Sequence, residues 1–296
     1  MLDKVQKNHY GFYELIEKPT AEKQKKDFEE NYYQKGLSGS YAPQYTEEEC
    51  LFLYHKIAQK EISIWKCMEG EKRKLSILDI GCGEGFLLDY FLKKGCQVYG
   101  IDFSRFGMES QNPHLLPYLY QGDCYEILQA LIEKEDLFAL VNMDATLDMV
   151  QNPARLLELI HKILKPDGLL CCKVANNYSD FQLRLLSGKT LTKEHWLDED
   201  GHPWYFNKDG YLNFMDANGY ECRDFYAESL IEFSLLNELT NYYENPKTGK
   251  AAYWQKIRLE NMWHEISPER THEIMRQFGQ MGLGRELVGI FRRKRS

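Results

Sequence analysis

Ile77-Leu78-Asp79-Ile80-Gly81-Cys82-Gly83-Glu84-Gly85-Phe86-Leu87-Leu88 is the stretch that decides the fold. An apolar segment typical of a strand runs into three glycines at alternate positions, and an apolar segment typical of a helix follows. Glycine lets the backbone turn tightly and approach a ligand where a side chain would collide. The following helix directs its N-terminal amide groups at the same place. The stretch therefore predicts a loop that binds a nucleotide-type cofactor.

The next strand pattern, Gln97–Asp102, ends in a carboxylate about one helix and one turn after the glycines. A carboxylate at this position can accept hydrogen bonds from both hydroxyls of a ribose. Asp102 is therefore the predicted ribose ligand, with a solvated carboxylate at a strand end as the alternative. The glycine spacing is GxGxG, and Asp79 lies two residues before the first glycine. Dinucleotide-binding oxidoreductases carry GxGxxG instead.

With these features the chain resembles the class I S-adenosylmethionine-dependent methyltransferases. The resemblance continues through Gln121-Gly122-Asp123-Cys124, the strand pattern Leu137–Asn142 and a helix-and-strand segment from Asn152 to Leu170, so that it covers roughly residues 75 to 175. It implies an α/β fold with a doubly wound, Rossmann-like, seven-stranded and mostly parallel sheet that carries helices on both faces. The last two strands would form an antiparallel hairpin at the end of the sheet.

The resemblance also implies where S-adenosylmethionine, the methyl donor, would lie. Asp79 and the glycine loop would surround its methionine part, Asp102 would hold the ribose, and Asp123 would approach the adenine edge. The full set of cofactor residues implied in this way is Asp79, Gly81, Cys82, Gly83, Gly85, Asp102, Phe103, Asp123, Cys124, Asn142 and Met143. Two alternatives stay open, because Gly-Asp at 122–123 is also an ordinary turn pair and Asp79 could cap the glycine turn.

A departure from the resemblance follows the fourth strand. Many relatives of the ubiquinone and small-molecule type carry Leu-Glu-His-Val there, whereas this chain reads Leu147-Asp148-Met149-Val150. Met149 cannot transfer a proton, so any acid-base or metal role of that Glu-His pair is placed in doubt.

A different histidine lies in Asp200-Gly201-His202-Pro203-Trp204-Tyr205-Phe206, which resembles the His-x-x-Tyr-Phe-Ser segment over the acceptor pocket of such enzymes. An imidazole that titrates near neutrality can take a proton from a hydroxyl, so His202 is the candidate general base. The alternative is a histidine that only hydrogen-bonds a loop, and His195 is the second candidate.

Aromatic residues supply the candidate acceptor contacts. Trp204 and Tyr205 could stack on a ring or a sugar face. Tyr33 and Tyr41 lie in a segment rich in tyrosine and glycine that suits a flap over a ligand pocket, although a plain surface turn would have the same composition.

Composition limits the partners. The net charge of −8 and the pI near 5.6 argue against a surface that tracks phosphates, so DNA and bulk RNA are not expected partners. No apolar stretch is long enough to cross a membrane and the N-terminus has no signal-peptide pattern, so a cytoplasmic protein is expected. The eight cysteines include no CxxC pair, and no cluster has metal-ligand spacing, so no metal is expected.

Three regions are predicted along the chain. Residues 1–70 form an N-terminal helical extension or lid, with helices over 20–35 and 46–68. Residues 71–227 and 282–296 form the methyltransferase-like domain. Residues 228–281 form a helical insertion before the last strand, which would cap the substrate side or make the contact of a homodimer.

The predicted activity is O-methylation of a small hydroxylated acceptor that is sugar-like or ring-bearing. A histidine base suits a hydroxyl, and the chain lacks an Asn-Pro-Pro-Tyr segment like that of amide or adenine N-methylating enzymes. Two alternatives remain: a nicotinamide-dependent oxidoreductase, and a non-catalytic protein that binds S-adenosylmethionine and a partner. Protein or RNA methylation is a further possibility, and the acidic balance disfavours RNA.

Overall fold

The structure, a computed structural model, describes residues 3–26, 44–68, 74–198 and 202–294. Its strands in these ranges are β1 (Val5–Lys7), β2 (Tyr13–Leu15), β3 (Ser76–Ile80), β4 (Gln97–Asp102), β5 (Leu119–Gln121), β6 (Phe138–Asp144), β7 (Leu164–Ala175), β8 (Trp204–Tyr205), β9 (Tyr220–Glu228) and β10 (Glu286–Arg293). Its helices are α1 (Ala21–Lys26), α2 (Glu47–Cys67), α3 (Phe86–Lys93), α4 (Phe106–Gln111), α5 (Cys124–Glu133), α6 (Pro153–Ile163), α7 (Asp180–Ser187), α8 (Lys208–Ala217), α9 (Gly249–Ile266) and α10 (Pro268–Gln280).

Seven strands form the main sheet in the order β5-β4-β3-β6-β7-β10-β9. The first five of these strands are parallel neighbours, and β10 is antiparallel to both β7 and β9. Every residue of the inner strand β3 is buried, as expected for a parallel strand covered on both faces. The predicted seven-stranded, mostly parallel sheet with a terminal antiparallel pair is therefore confirmed.

Helices cover both faces of the sheet. Leu128 of α5, Leu156 of α6 and Tyr211 of α8 belong to one buried apolar cluster. Ile64 of α2 and Leu88 of α3 belong to a second cluster, together with residues of α10. The carboxyl ends of β3, β4 and β6 meet at one edge between these layers, where ligands of open α/β sheets bind.

The N-terminal region differs in part from the predicted helical extension. Strands β1 and β2 pair with β8 in a small antiparallel sheet, so residues 3–15 are not helical. Helix α1 begins near the predicted start, and the remainder of the predicted helix lies outside the described residues. Helix α2 has the predicted capping box, in which Thr46 and Glu49 each accept from the other's backbone N–H group.

The segment between β9 and β10 is helical, as the apolar pattern predicts. It contains a 3-10 turn at Leu230–Leu236 followed by α9 and α10. Helix α9 packs against α2, where the Asn261 side chain bonds His55 at 2.9 Å and His264 lies 2.7 Å from the Gln59 amide nitrogen. Its role as a substrate cap or a dimer contact stays a prediction.

Candidate functional site

A cavity of about 400 Å³ opens at the carboxyl edge of the sheet. It lies beyond the ends of β3, β4 and β6, and α1 closes one side. The residues that line it are Ala21, Glu22, Gln24, Lys25, Ile80, Gly81, Ile101, Asp102, Phe103, Gly122, Asp123, Cys124, Tyr125, Asp144, Ala145, Thr146, Met149, Val150 and Gln151. Of the predicted cofactor residues, Gly81, Asp102, Phe103, Asp123 and Cys124 are brought together in this wall.

The glycine loop has the backbone that its composition predicts. Gly81, Gly83 and Gly85 have φ angles of 74°, 52° and 77°, which lie in the left-handed region that favours glycine. A Cβ atom at Gly81 would lie 2.2 Å from the Thr146 hydroxyl oxygen, so the loop after β3 presses directly on the loop after β6. Gly81 and Thr146 both line the cavity.

Asp102 is the central polar group of the cavity wall. One carboxylate oxygen accepts from the Gly83 N–H group at 2.8 Å and the other accepts from the Ser104 N–H group at 2.9 Å. Burial raises the pKa of Asp102 to about 6, although these backbone donors act in the opposite direction. A carboxylate oxygen can accept a second hydrogen bond, so Asp102 can take two further donors.

Asp123 and Cys124 lie at the start of α5. The Oδ1 atom of Asp123 accepts from the Tyr125 and Glu126 N–H groups, so this residue is the N-cap of α5. The capping role and the position in the cavity wall coexist, because both bonds use one oxygen. Burial raises the pKa of the Cys124 thiol to about 12, so this residue of the cavity wall carries a neutral thiol.

Several predicted cofactor residues lie behind the wall rather than in it. Asp79 is buried and accepts from the Asn142 amide at 2.7 Å, and burial raises its pKa to about 7. Met143 has no exposed surface. Strand β6 runs two residues beyond its predicted end at Asn142, so Asp144 and the residues after it reach the cavity instead.

Cys82, Gly83 and Gly85 are also absent from the cavity wall. Gly83 acts through its N–H bond to Asp102, and Gly85 precedes α3. Within the glycine loop, Gly81 thus lines the cavity, whereas Gly83 and Gly85 support the conformation of the loop.

Lys60 of α2, which the sequence analysis does not single out, supports a residue of the cavity wall. Its buried ammonium group pairs with the Asp144 carboxylate, and Lys173 lies 3.6 Å from the other Asp144 oxygen. Burial alone would raise the pKa of Asp144, but the two ammonium groups lower it to about 2. The one signal in the sequence is that Lys60 lies at a buried position of α2, between Ile57 and Ile64.

His202 lies beside the loop that forms the far wall of the cavity. Its Nδ1 atom is 3.7 Å from an oxygen of Asp148, whose side chain has no exposed surface. Burial would lower the pKa of His202, but the Asp148 carboxylate opposes this and the net shift is upward. Met149, the next residue after Asp148, lines the cavity.

The remaining candidates His195 and Trp204 differ in their surroundings. The His195 ring lies 2.9 Å from a Glu244 oxygen and stacks on Tyr243, so it is held by the insertion and is not part of the cavity wall. The Trp204 indole donates to the Val150 carbonyl at 2.7 Å, and the Lys18 ammonium lies 3.9 Å from its ring.

Tyr205 corrects the expectation of an acceptor contact. It has no exposed surface, and its hydroxyl bonds the Asp198 backbone, because β8 turns this side chain into an apolar cluster. The predicted contacts Tyr33 and Tyr41 lie outside the described residues.

The part of the chain that the structure describes lacks a metal-ligand cluster and a membrane-spanning helix. It contains no group of three or more histidine, cysteine, aspartate or glutamate side chains that could hold a metal ion. None of its helices combines the length and the apolarity that a membrane crossing requires.

A family model described as a methyltransferase domain matches residues 51–224 of this chain. The chain is also similar to the ubiquinone biosynthesis O-methyltransferase of Rhodopseudomonas palustris, with 27% identity over 139 residues that cover 47% of this chain and 53% of that protein. It is 30% identical over 172 residues to the tRNA N(3)-cytidine methyltransferase METTL6 of Homo sapiens, covering 52% of this chain and 58% of that protein. The chain thus spans little more than half the length of these relatives.

Among solved structures, the plantazolicin methyltransferase BamL, in complex with a triazolic desmethylPZN analog and SAH, has a TM-score of 0.50 and 14% identity. The match covers 88% of this chain and 90% of that chain. At this identity the likeness concerns the fold.

Proposed function

The chain belongs to the methyltransferase domain family, and on this premise we propose that it transfers a methyl group from S-adenosylmethionine to a hydroxyl group of a small acceptor. We further propose that the acceptor is sugar-like or ring-bearing. The observation that carries the proposal is the cavity wall, in which Asp102, the Gly81 backbone and the neutral face of Cys124 meet around about 400 Å³.

The chemistry of the wall fits the proposed cofactor. Asp102 keeps acceptor capacity for a ribose diol, and a loop without a Cβ atom at Gly81 allows close approach to the backbone. Phe103 and Cys124 offer apolar surface for a purine, and the ionised Asp144 is an anion at the edge of the cavity. When bound, S-adenosylmethionine supplies a methyl group already activated by a positively charged sulfur.

The residues of the chain then act mainly by alignment. Displacement at an activated methyl carbon needs no covalent intermediate with the protein, so the protein's task is to hold the acceptor oxygen in line. In our proposal the proton that the acceptor hydroxyl loses goes to the His202 imidazole. General-base catalysis of this kind contributes about 100-fold or more.

The relatives support two acceptor classes. The ubiquinone biosynthesis enzyme is named as an O-methyltransferase, and its name favours a hydroxyl acceptor. METTL6 is named for a cytidine in tRNA, so RNA is the second candidate acceptor. The net charge of −8 disfavours RNA, because an acidic surface repels phosphates.

Calorimetric titration with S-adenosylhomocysteine, with NADH as a parallel ligand, tests the cofactor assignment. We expect binding of the former alone. Equal binding of NADH, or no binding of S-adenosylhomocysteine by folded protein free of copurified ligand, would contradict it.

A transfer assay with a radiolabelled methyl group then tests the acceptor class on phenols, hydroxylated sugars and transcribed tRNA. His202→Ala should keep cofactor affinity and lose about 100-fold or more in turnover of the hydroxyl acceptor. His195→Ala is the matched comparison, and a loss confined to that variant would move the base to His195. Labelling of tRNA alone would replace the small-acceptor proposal.

A further inference from the structure

We propose that Asp148 is a positioning residue that orients His202 and stabilises the positive charge that this imidazole gains when it accepts a proton. The inference rests on the proposed function, since it assigns a partner to the proposed base. It concerns the segment Leu147-Asp148-Met149-Val150, where the usual Glu-His pair of the resembling enzymes is missing. Here a carboxylate from that segment meets a histidine from a distant one.

The first observation is the state of the Asp148 carboxylate. The residue has no exposed surface, and neither of its oxygens accepts a hydrogen bond within the part of the chain that the structure describes. Two other buried carboxylates have donors, since Asp79 accepts from Asn142 and Asp224 accepts from Ser63 and Arg276. A buried carboxylate without donors is costly, so it calls for a cationic partner.

The second observation is the position of His202. Its Nδ1 atom lies 3.7 Å from Asp148 Oδ2, slightly beyond hydrogen-bonding distance, and 30% of its side chain is exposed. The imidazole is thus partly exposed, whereas its carboxylate partner is fully buried. Catalytic hydrogen bonds are often long without substrate and shorten in the complex. An Nδ1–H bond to Asp148 would leave Nε2 as the free base.

The third observation is that the two segments are joined beside the cofactor cavity. The Trp204 indole donates to the Val150 carbonyl at 2.7 Å, which fixes the chain two residues after His202 to the loop two residues after Asp148. Met149 and Val150 both line the cavity. The pair is therefore adjacent in the chain and in space to residues of the cavity wall.

The charged groups around the imidazole determine the direction in which the His202 pKa should change when Asp148 is replaced. Asp148 on the loop after β6 and Asp198 on the preceding segment both favour the protonated ring, whereas Arg285 before β10 and burial disfavour it. Removal of the Asp148 charge therefore lowers the pKa of His202. In the wild type the neutral base is present above the His202 pKa, so turnover rises with pH through that value.

The test compares Asp148→Asn, which keeps the shape, with Asp148→Glu, which restores a carboxylate, in the full chain. Nuclear magnetic resonance of ¹³C-labelled histidine gives the pKa of His202 without any acceptor, and His202→Gln assigns its signal. Glu244→Gln is the matched control, because it removes the carboxylate partner of His195 at 2.9 Å. Circular dichroism and affinity for S-adenosylhomocysteine verify that each variant is folded.

We expect Asp148→Asn to lower the His202 pKa, to move the midpoint of the pH profile of turnover down with it, and to reduce kcat about tenfold or more. Affinity for S-adenosylhomocysteine should stay unchanged, Asp148→Glu should recover part of the loss, and Glu244→Gln should leave the His202 signal in place.

An unshifted His202 titration in folded Asp148→Asn would overturn the pairing, whatever the acceptor proves to be. A shifted titration together with hydroxyl methylation that is insensitive to both residues would refute the catalytic role. If S-adenosylhomocysteine does not bind the wild type, the proposed function fails, while the titration still decides on the pair.

Discussion

Asp102 offers the sharpest test of the cofactor site. Its two oxygens each accept one backbone N–H bond, from Gly83 and Ser104, and each can accept one more. A bound ribose diol would use both remaining positions. Replacement by alanine removes both acceptors and the negative charge, whereas the cavity walls formed by Cys124 and Thr146 stay in place.

The size of the effect follows from these bonds. A hydrogen bond to a charged group contributes a net ~1.5–3 kcal/mol, so two such bonds contribute about 3 kcal/mol or more. At about 1.4 kcal/mol for each factor of ten, Asp102→Ala should weaken the affinity for S-adenosylhomocysteine roughly 100-fold or more.

The pH dependence adds a second, independent signature. Burial raises the pKa of Asp102 to about 6, and a diol prefers the ionised carboxylate, so affinity should fall as pH falls through this value. A free-protein pKa of about 6 gives a loss of about tenfold between pH 7 and pH 5. Burial raises the pKa of Asp79, which lies behind the wall, to about 7. Asp79 is still present in the variant, so any pH dependence of binding that Asp79 causes remains after the substitution of Asp102.

Calorimetric titration at pH 5, 6, 7 and 8 measures both effects. Asp136→Asn is the matched control, because this exposed carboxylate precedes β6 and lies at the opposite edge of the sheet. The control should bind as the wild type does at each pH. Wild-type affinity in Asp102→Ala, or a pH dependence that survives the substitution unchanged, would show that Asp102 does not hold the cofactor.

The other predictions concern the structures that support the cavity. Lys60→Met removes the buried partner of the Asp144 carboxylate, which is partly exposed and keeps Lys173 at 3.6 Å, so it should lower the free energy of unfolding by about 1 kcal/mol, as measured by urea denaturation; an unchanged midpoint would contradict this. Gly81→Ala adds a Cβ atom against the Thr146 hydroxyl at a φ of 74°, so it should abolish detectable binding of S-adenosylhomocysteine. Gly95→Ala has a similar φ of 84° and no atom within 4 Å of the new carbon, so it should lower stability by about 1 kcal/mol and leave binding unchanged in the same titration. Equal binding losses in the two glycine variants would contradict the role of the collision.

The parts of the fold that the sequence predicts are those with local signals. The glycines at 81, 83 and 85 break an apolar strand pattern, and Asp102 ends the next one, so loop and strand order follow from neighbouring residues. Strands β1 and β2 have three residues each and pair with the two-residue β8. Such short strands have too few residues for a recognisable alternation, so residues 3–15 could not be assigned correctly.

The parts of the site that escape prediction depend on distant contacts. In the sequence, Lys60 is one of several charged residues in a long helix. Its role depends on the packing of α2 at the end of β6, where its ammonium group pairs with Asp144. In the sequence, Asp148 marks only the absence of the Glu-His pair. Its partner becomes visible in the fold, where His202 lies against it. In both pairs the partner is set by tertiary packing, and the position of Lys60 between Ile57 and Ile64 in α2 does not reveal which residue it meets.

Helix α2 connects the cofactor cavity with the insertion through charge pairs on successive turns. Lys56 lies 2.9 Å from Glu228 and 2.8 Å from Glu286, which are the last residue of β9 and the first of β10. The insertion therefore begins after Glu228 and ends before Glu286, and the Lys56 ammonium group pairs with both carboxylates. One turn later, Lys60 pairs with Asp144 in the cavity wall. Through these pairs α2 links both ends of the insertion to the cavity wall.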